Sequence, residues 1–452
     1  MDEAKAKEAA MGDQGLENFL SFQGGIKGQN GATSITFRAR VDPSGEVQIE
    51  FEPIPLTKET SFLLNDWHLE KREKLNYFTL SGRSEDGTEF STEKLYFRGV
   101  QSRYDRGTGT LLRPIGGCSR AQFTRQLKTP ASTPLLRVWL KGFRNFGELR
   151  ARCPLGTIAM EGPSTVDDPD VITGSIAVQA DEQPRDTTAW HADATRLLDH
   201  VRRIMSFASA VALHSPIIEF FEGNRNEITA LSQMRQAPAP MPTFHYLNQQ
   251  PVFEVAVNSF FNPPFGAKNL FFAIEWFAME TTHSEVRLVN AMTALENLIA
   301  ANLSESEALV MPSKEYEKIR RLLRGDVARR IKGIGADAKK AEAVVRELNE
   351  KLAELNRRSL MRKMAILAQR WSVQLEEIGI GRIQAAKQAR ERIVHRGHYY
   401  EADQPRTSDD LWEHVTVTRE IIVRFLLAAI GYRGKYISYV GGYHDSDFPS
   451  RQ

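Results

Sequence analysis

Arg390 and His395 stand five positions apart in the run Arg390-Glu391-Arg392-Ile393-Val394-His395-Arg396-Gly397-His398. A guanidinium stays charged at any physiological pH, whereas an imidazole titrates near neutrality. Cleavage of a phosphodiester needs both kinds of group: a cation for charge building on the phosphoryl oxygens, and a side chain that takes or gives a proton. The spacing by itself is weak, because a chain this rich in arginine contains roughly one such pair by chance. Its surroundings carry more of the argument.

The periodicity predicts a helix over 382–396. Ile383, Ala386, Ala389 and Ile393 fall on one stripe, the face expected to pack inward. Lys387, Glu391 and His395 follow one another at i, i+4 and i+8 on another face, with Arg390 beside them. Gly397 supplies a stop, so His395 belongs to the last turn, where the negative end of the helix dipole favours an imidazolium. Five residues of ideal helix separate Arg390 from His395 by about 140°. The two reach one phosphate only if the helix end opens or a second copy supplies the complement.

The segment around this helix is strongly basic. Residues 313–400 hold 22 Lys and Arg against 11 Asp and Glu, while the whole chain carries a net charge of only +2. One region is therefore built to meet an anion, and the remainder is mildly acidic. Arg320, Arg324, Arg357, Arg358 and Arg362, with Lys387, Arg392 and Arg396 on the motif helix, are the candidates for contact with an RNA backbone. The alternative for the same residues is a solvated helix face with pairs such as Glu317–Arg321 and Glu347–Lys351.

These 452 residues suffice for two or three domains, and 41% hydrophobic with 26% charged residues describe an ordinary globular chain. Cys118 and Cys153 form no CxxC pair, which fits a reducing compartment. The amino terminus has mixed charges and no apolar core of a signal peptide. No uncharged run reaches the ~20 residues of a membrane helix, and Arg424 interrupts Ile421–Ile430. The expectation is a cytoplasmic protein with no membrane contact. No HExxH, paired CxxC or carboxylate cluster marks a metal site, and no cofactor motif is present.

The expected fold class is α+β and multidomain, with a β-rich first half, as a sandwich or open barrel, followed by an all-α bundle. Residues 1–19 form a tail and 20–185 the β-rich domain. There, Ile35–Val41 and Val47–Phe51 alternate about the turn Asp42-Pro43-Ser44-Gly45. Asp86-Gly87 marks a second turn, and 136–140 and 172–178 continue the strands. Residues 186–265 are a mixed connector with a helix over 190–211, a strand over 217–221 and a stiff Pro-rich link over 237–242. The helical domain spans 266–435, with helices near 267–280, 283–302, 313–333, 337–356, 359–376, 382–396 and 408–430. Thr282 with Glu285 is a candidate capping box for the second of these. Residues 436–452 are a tail.

The phrase Arg390-x-x-Ile393-Val394-His395-x-Gly397 resembles the RxxxxH motif of the HEPN superfamily of all-helical domains. Phe277–Glu280, Glu285–Leu288 and Ala294-Leu295-Glu296-Asn297-Leu298 resemble the opening helices of its ApeA-type branch, and the similarity covers roughly 265–435. The resemblance implies a metal-independent endoribonuclease, with Arg390 and His395 catalytic and a composite site in a homodimer. It also implies a toxic effector of bacterial antiphage defence, acting by abortive infection, restrained by the β-rich half and released by a phage-derived trigger. Where the family commonly has Asn, Asp or His after the motif arginine, this chain has Glu391, whose carboxylate could instead pair with Arg390 or His395. Glu296 and His398 are supporting candidates, His398 lying beyond the helix stop. A non-catalytic nucleic-acid or nucleotide-binding domain is the alternative. The remaining histidines, such as His200 and His414, show no ligand spacing.

Overall fold

Alternating apolar and polar residues build the first half of the chain from strands. A computed structural model describes residues 16–449 except 17, 71–76, 166, 167, 169, 233–240, 280, 282, 334–337 and 401–407. The chain divides into two compact units, residues 1–260 and 261–452.

The first unit opens with β1 (Leu20–Lys27), β2 (Ala32–Val41), β3 (Val47–Phe51), β4 (Ile54–Pro55) and the helix α1 (Phe62–Glu70). It continues with β5 (Phe78–Ser84), β6 (Glu89–Asp105), β7 (Gly109–Cys118), β8 (Arg120–Gln126), β9 (Leu135–Lys141), β10 (Glu148–Cys153), β11 (Gly156–Glu161) and β12 (Ile172–Gln179). The helix α2 (Thr187–Ser209), β13 (His214–Glu222), β14 (Arg225–Leu231) and α3 (Gln250–Phe261) complete it.

Six antiparallel strands close on themselves in the order β6-β5-β1-β2-β3-β7, because β6 pairs with β7 as well as with β5. The expected β-rich half is thus a closed barrel with further strands attached. Closure leaves its six strands no free edge. Phe22, Phe37, Phe78, Phe90 and Phe97 fill the interior, with Phe22 and Phe37 stacked at 5.2 Å and Phe78 and Phe97 at 4.5 Å. The expected β2–β3 hairpin forms where Asp42 Oδ1 accepts from the Ser44 amide at 2.9 Å and Gly45 takes a φ of 79°.

From β6 the sheet runs on through β8-β14-β13-β9-β12-β11-β10, and α2 packs on β9 and β12. Asp186 caps α2 by accepting from the Ala189 amide. The stretch 186–265 is accordingly no connector: β13 and β14 lie inside the main sheet, and the unit boundary falls at 260. Of the Pro-rich link, residues 237–240 lie outside the described residues. Cys118 and Cys153 are free thiols, and burial pushes Cys118 up to about 12.

The second unit contains α4 (Leu270–Ala278), α5 (Ser284–Asn302), α6 (Glu305–Ala308), α7 (Ser313–Gly333), α8 (Ala338–Glu354) and α9 (Leu360–Trp371). After a 3-10 turn at Glu376–Ile378 come α10 (Ile380–Arg396), α11 (Ser408–Ile430) and the hairpin β15 (Gly434–Ser438) and β16 (His444–Phe448). The expected helices are present, with two corrections. The run 359–376 breaks at Ser372, whose φ of 56° ends α9, and the expected tail from 436 is mostly the β15–β16 hairpin. Thr282 lies outside the described residues. The N-cap of α5 is His283, which makes no side-chain capping bond.

α11 is the centre of this unit and packs on α4, α5, α9 and α10. Val415 to Ile430 is buried throughout, as befits a helix enclosed on every side. Arg424 is held inside by Glu420 at 2.9 Å, the Tyr436 hydroxyl at 3.2 Å, the Gln374 carbonyl at 2.7 Å and Glu377 at 3.0 Å. Among the described residues, no helix is long and apolar enough to cross a membrane.

Candidate active site

The motif helix α10 is uninterrupted from Ile380 to Arg396 and stops at Gly397, whose φ is 81° and whose amide donates to the Ile393 carbonyl at 2.8 Å. Its buried face consists of Ile383, Ala386, Ala389 and Ile393, the stripe expected from the sequence. Ala389 and Ile393 meet Leu288 of α5 and Leu411 and Val415 of α11. This three-helix contact fixes which way the polar residues point. A side chain at Gly397 would have to adopt a left-handed backbone, so Gly397→Val is expected to cost about 1–2 kcal/mol of stability in urea denaturation.

Arg390 leaves α10 on the side of α5, and its Nη2 donates to Glu296 Oε2 at 3.1 Å. The Ala294-Leu295-Glu296 triplet explains the contact: Ala294 and Leu295 are buried, which leaves Glu296 at the rim where Arg390 arrives. The Arg390 Nε is buried and has no hydrogen-bond partner among the described residues. Glu391 pairs with Lys387 Nζ at 2.5 Å, and not with Arg390 or His395.

His395 is exposed in the last turn beside Arg396. On an unbroken helix it leaves the axis about 140° from Arg390 and about 7.5 Å further along. One copy of α10 therefore presents the two groups to different directions. His398 lies past the stop, where its Nδ1 donates to the Tyr400 carbonyl. The Arg392 guanidinium lies 5.7 Å from the Tyr399 ring centroid.

Sequence reasoning missed a pair beside this helix end. The Tyr399 hydroxyl and His414 Nε2 are 3.3 Å apart, and burial holds the His414 imidazole below its usual value and so neutral near pH 7. The signal lay in the register of α11, since His414 is three residues from Leu411, which faces α10.

The other basic candidates separate. α7 and α8 enclose a groove of about 1100 Å³ in which Arg320, Arg324, Arg346 and Arg357 face Glu342, Glu350 and Glu354, with Ala341 and Val345 among its apolar lining. Arg320 is tied to Glu317 at 3.1 Å, and the expected Glu317–Arg321 pair stands at 3.9 Å. Arg346 was not anticipated. Arg358 donates its amide to Ala308, and Arg362 is exposed in the first turn of α9, where its amide donates to Ser359. Arg357 thus joins the groove, and neither Arg358 nor Arg362 is among its lining residues. Among the described residues, no group of three or more His, Cys, Asp or Glu side chains could hold a metal ion. Compared with known proteins, the chain matches no family model, and no curated protein and no solved structure is similar to it.

Proposed function

We propose that the chain is a metal-independent endoribonuclease of the HEPN type whose site is completed by a second copy of α10. The observation that carries this reading is that one glycine-stopped helix bears both the Arg390–Glu296 pair and an exposed His395 on separate faces, so that a second copy is needed to bring the two together. His395 removes the proton of a ribose 2′-hydroxyl. The 2′-oxygen then bonds to the adjacent phosphorus while the bond to the 5′-oxygen breaks, and that oxygen takes a proton from His395 of the second copy. Arg390 stabilises the charge growing on the phosphoryl oxygens. The products are a 2′,3′-cyclic phosphate and a 5′-hydroxyl. A two-fold dimer supports the scheme because it duplicates both residues about one axis.

Glu296 acts here as a positioning residue for Arg390. Glu296→Ala is expected to lower kcat by about 10–100-fold with little change in KM, with partial recovery in Glu296→Gln, measured on a defined RNA. Biologically the reading is a cytoplasmic toxic effector of antiphage defence, restrained by the β-rich unit until a phage-derived trigger arrives. Sequencing RNA ends from cells expressing the wild type and His395→Ala tests it, because only the wild type should produce new 5′-hydroxyl ends. A second reading is nucleic-acid binding without cleavage, in which the four arginines of the α7–α8 groove, set among Glu342, Glu350 and Glu354, hold a phosphate backbone and perform no chemistry. Tight binding with no cleavage at micromolar protein would select that reading.

A further inference from the structure

The β6–β7 ribbon of the first unit carries a group of arginines: Arg98, Arg103, Arg106 and Arg113. Its register fixes one outer face. Leu95 and Phe97 point into the barrel, so Tyr96, opposite Gly117, points out. A bulge between Phe97 and Gly99 inserts Arg98 without reversing the outer face, since Gly99 pairs with the exposed Ile115. Beyond it Gln101 pairs with Arg113 and Arg103 with Leu111, so Arg98, Arg103 and Arg113 share the face of Tyr96. Successive outward positions on a strand are about 6.8 Å apart, a step comparable to one extended nucleotide.

Two further features give this face a direction. Gly117 lets the Tyr96 side chain lie across it, since a Cβ there would meet the phenolic oxygen at 3.2 Å and Arg98 Nη2 at 3.5 Å. Arg98 Nη2 donates to that phenolic oxygen at 3.3 Å. Glu46 acts on Arg98, whereas Arg103, Arg106 and Arg113 have no ion-pair or hydrogen-bond partner among the described residues. Asp105 does not serve them, since its Oδ1 accepts from the Gly107 and Thr108 amides and holds the turn.

We infer that the outer face of the β6–β7 ribbon binds single-stranded nucleic acid, with Arg98, Arg103 and Arg113 on successive phosphates and a base stacked on Tyr96. A ring flanked by Arg98, with Arg103 and Arg113 further along the same face, suits an unstacked base and its backbone. An acidic protein segment would use the cations and leave the ring idle. This inference stands apart from the ribonuclease reading, because it concerns a different unit and requires no 2′-hydroxyl.

The test is fluorescence anisotropy of the full chain with a labelled single-stranded DNA of about 16 nucleotides. DNA cannot be cleaved by 2′-hydroxyl attack, so failure of the catalytic proposal leaves the measurement untouched. The paired charge reversal Arg103→Glu, Arg113→Glu is expected to weaken binding at least about tenfold at low salt and to reduce the salt slope by about two. Tyr96→Leu is expected to weaken it about fivefold or more. Thermal melting establishes that each variant is folded. Unchanged affinity and slope in the folded charge-reversal variant overturn the inference. So does polyglutamate of equal charge competing as strongly as the DNA, or duplex DNA binding as well as the single strand.

Discussion

Replacing His395 with alanine is expected to lower RNA cleavage by about 10²–10⁴-fold, the range lost when a positioned proton-transfer group is removed. Arg390→Ala should cost about 10²–10³-fold, as for loss of one charged donor at a developing oxyanion. Neither change should unfold the protein. His395 is exposed and makes no hydrogen bond among the described residues, so little packing depends on it. Arg390 loses one half-exposed pair with Glu296, an interaction in the class worth about 0.2–1 kcal/mol. Circular dichroism and sedimentation of the variants check fold and assembly beside a gel assay for cleavage. A composite site adds a sharper result. Mixing wild-type protein with His395→Ala should lower cleavage below the share of wild-type chains, because a mixed dimer holds one His395 where the scheme needs one from each copy.

Glu420→Ala is expected to destabilise the helical unit by about 3–5 kcal/mol, the cost of leaving a buried charge without its partner. The Glu420 and Arg424 side chains are 4% and 7% exposed. Glu420 also accepts from the Tyr436 hydroxyl and, at 2.9 Å, from Ser438 Oγ, so it joins α11 to the β15–β16 hairpin. Burial and the neighbouring Glu420 charge push the Tyr436 phenol well above its usual value, which keeps it a hydrogen-bond donor. Urea denaturation should show the loss in the transition of the second unit. A shift below about 1 kcal/mol would mean that Glu377 and the Gln374 carbonyl hold Arg424 without help.

Local signals were legible where periodicity and end residues agreed. The helices at 313–333 and 408–430 lie where the apolar spacing places them, and α10 ends at the glycine that the sequence marks. The β2–β3 hairpin was equally plain, because Asp42 and Gly45 supply the chemistry of a turn. Barrel closure was not legible. It depends on β6 pairing with both β5 and β7, and on a bulge at Arg98 that keeps alternation in step with the barrel wall. β13 was assigned to a connector and β14 was not anticipated, for a related reason: their partners β9 and β8 lie 73 or more positions upstream in the registered pairs, a separation that local periodicity does not encode. At the site, the motif residues could be placed on α10 from spacing alone. The contact of Arg390 with Glu296 spans 94 positions and was accessible only through the Ala-Leu-Glu triplet of α5. The Tyr399–His414 pair was marked only by the register of α11, which puts His414 three residues from Leu411.

The most direct measurement is mass spectrometry of the ends left when purified protein, in EDTA, acts on a DNA strand containing a single ribonucleotide. The account predicts one cut, immediately 3′ of the ribose, leaving a 2′,3′-cyclic phosphate and a 5′-hydroxyl, with no cut by His395→Ala. Cleavage at deoxy positions, 5′-phosphate ends, a requirement for added Mg²⁺, or equal cutting by His395→Ala would contradict it.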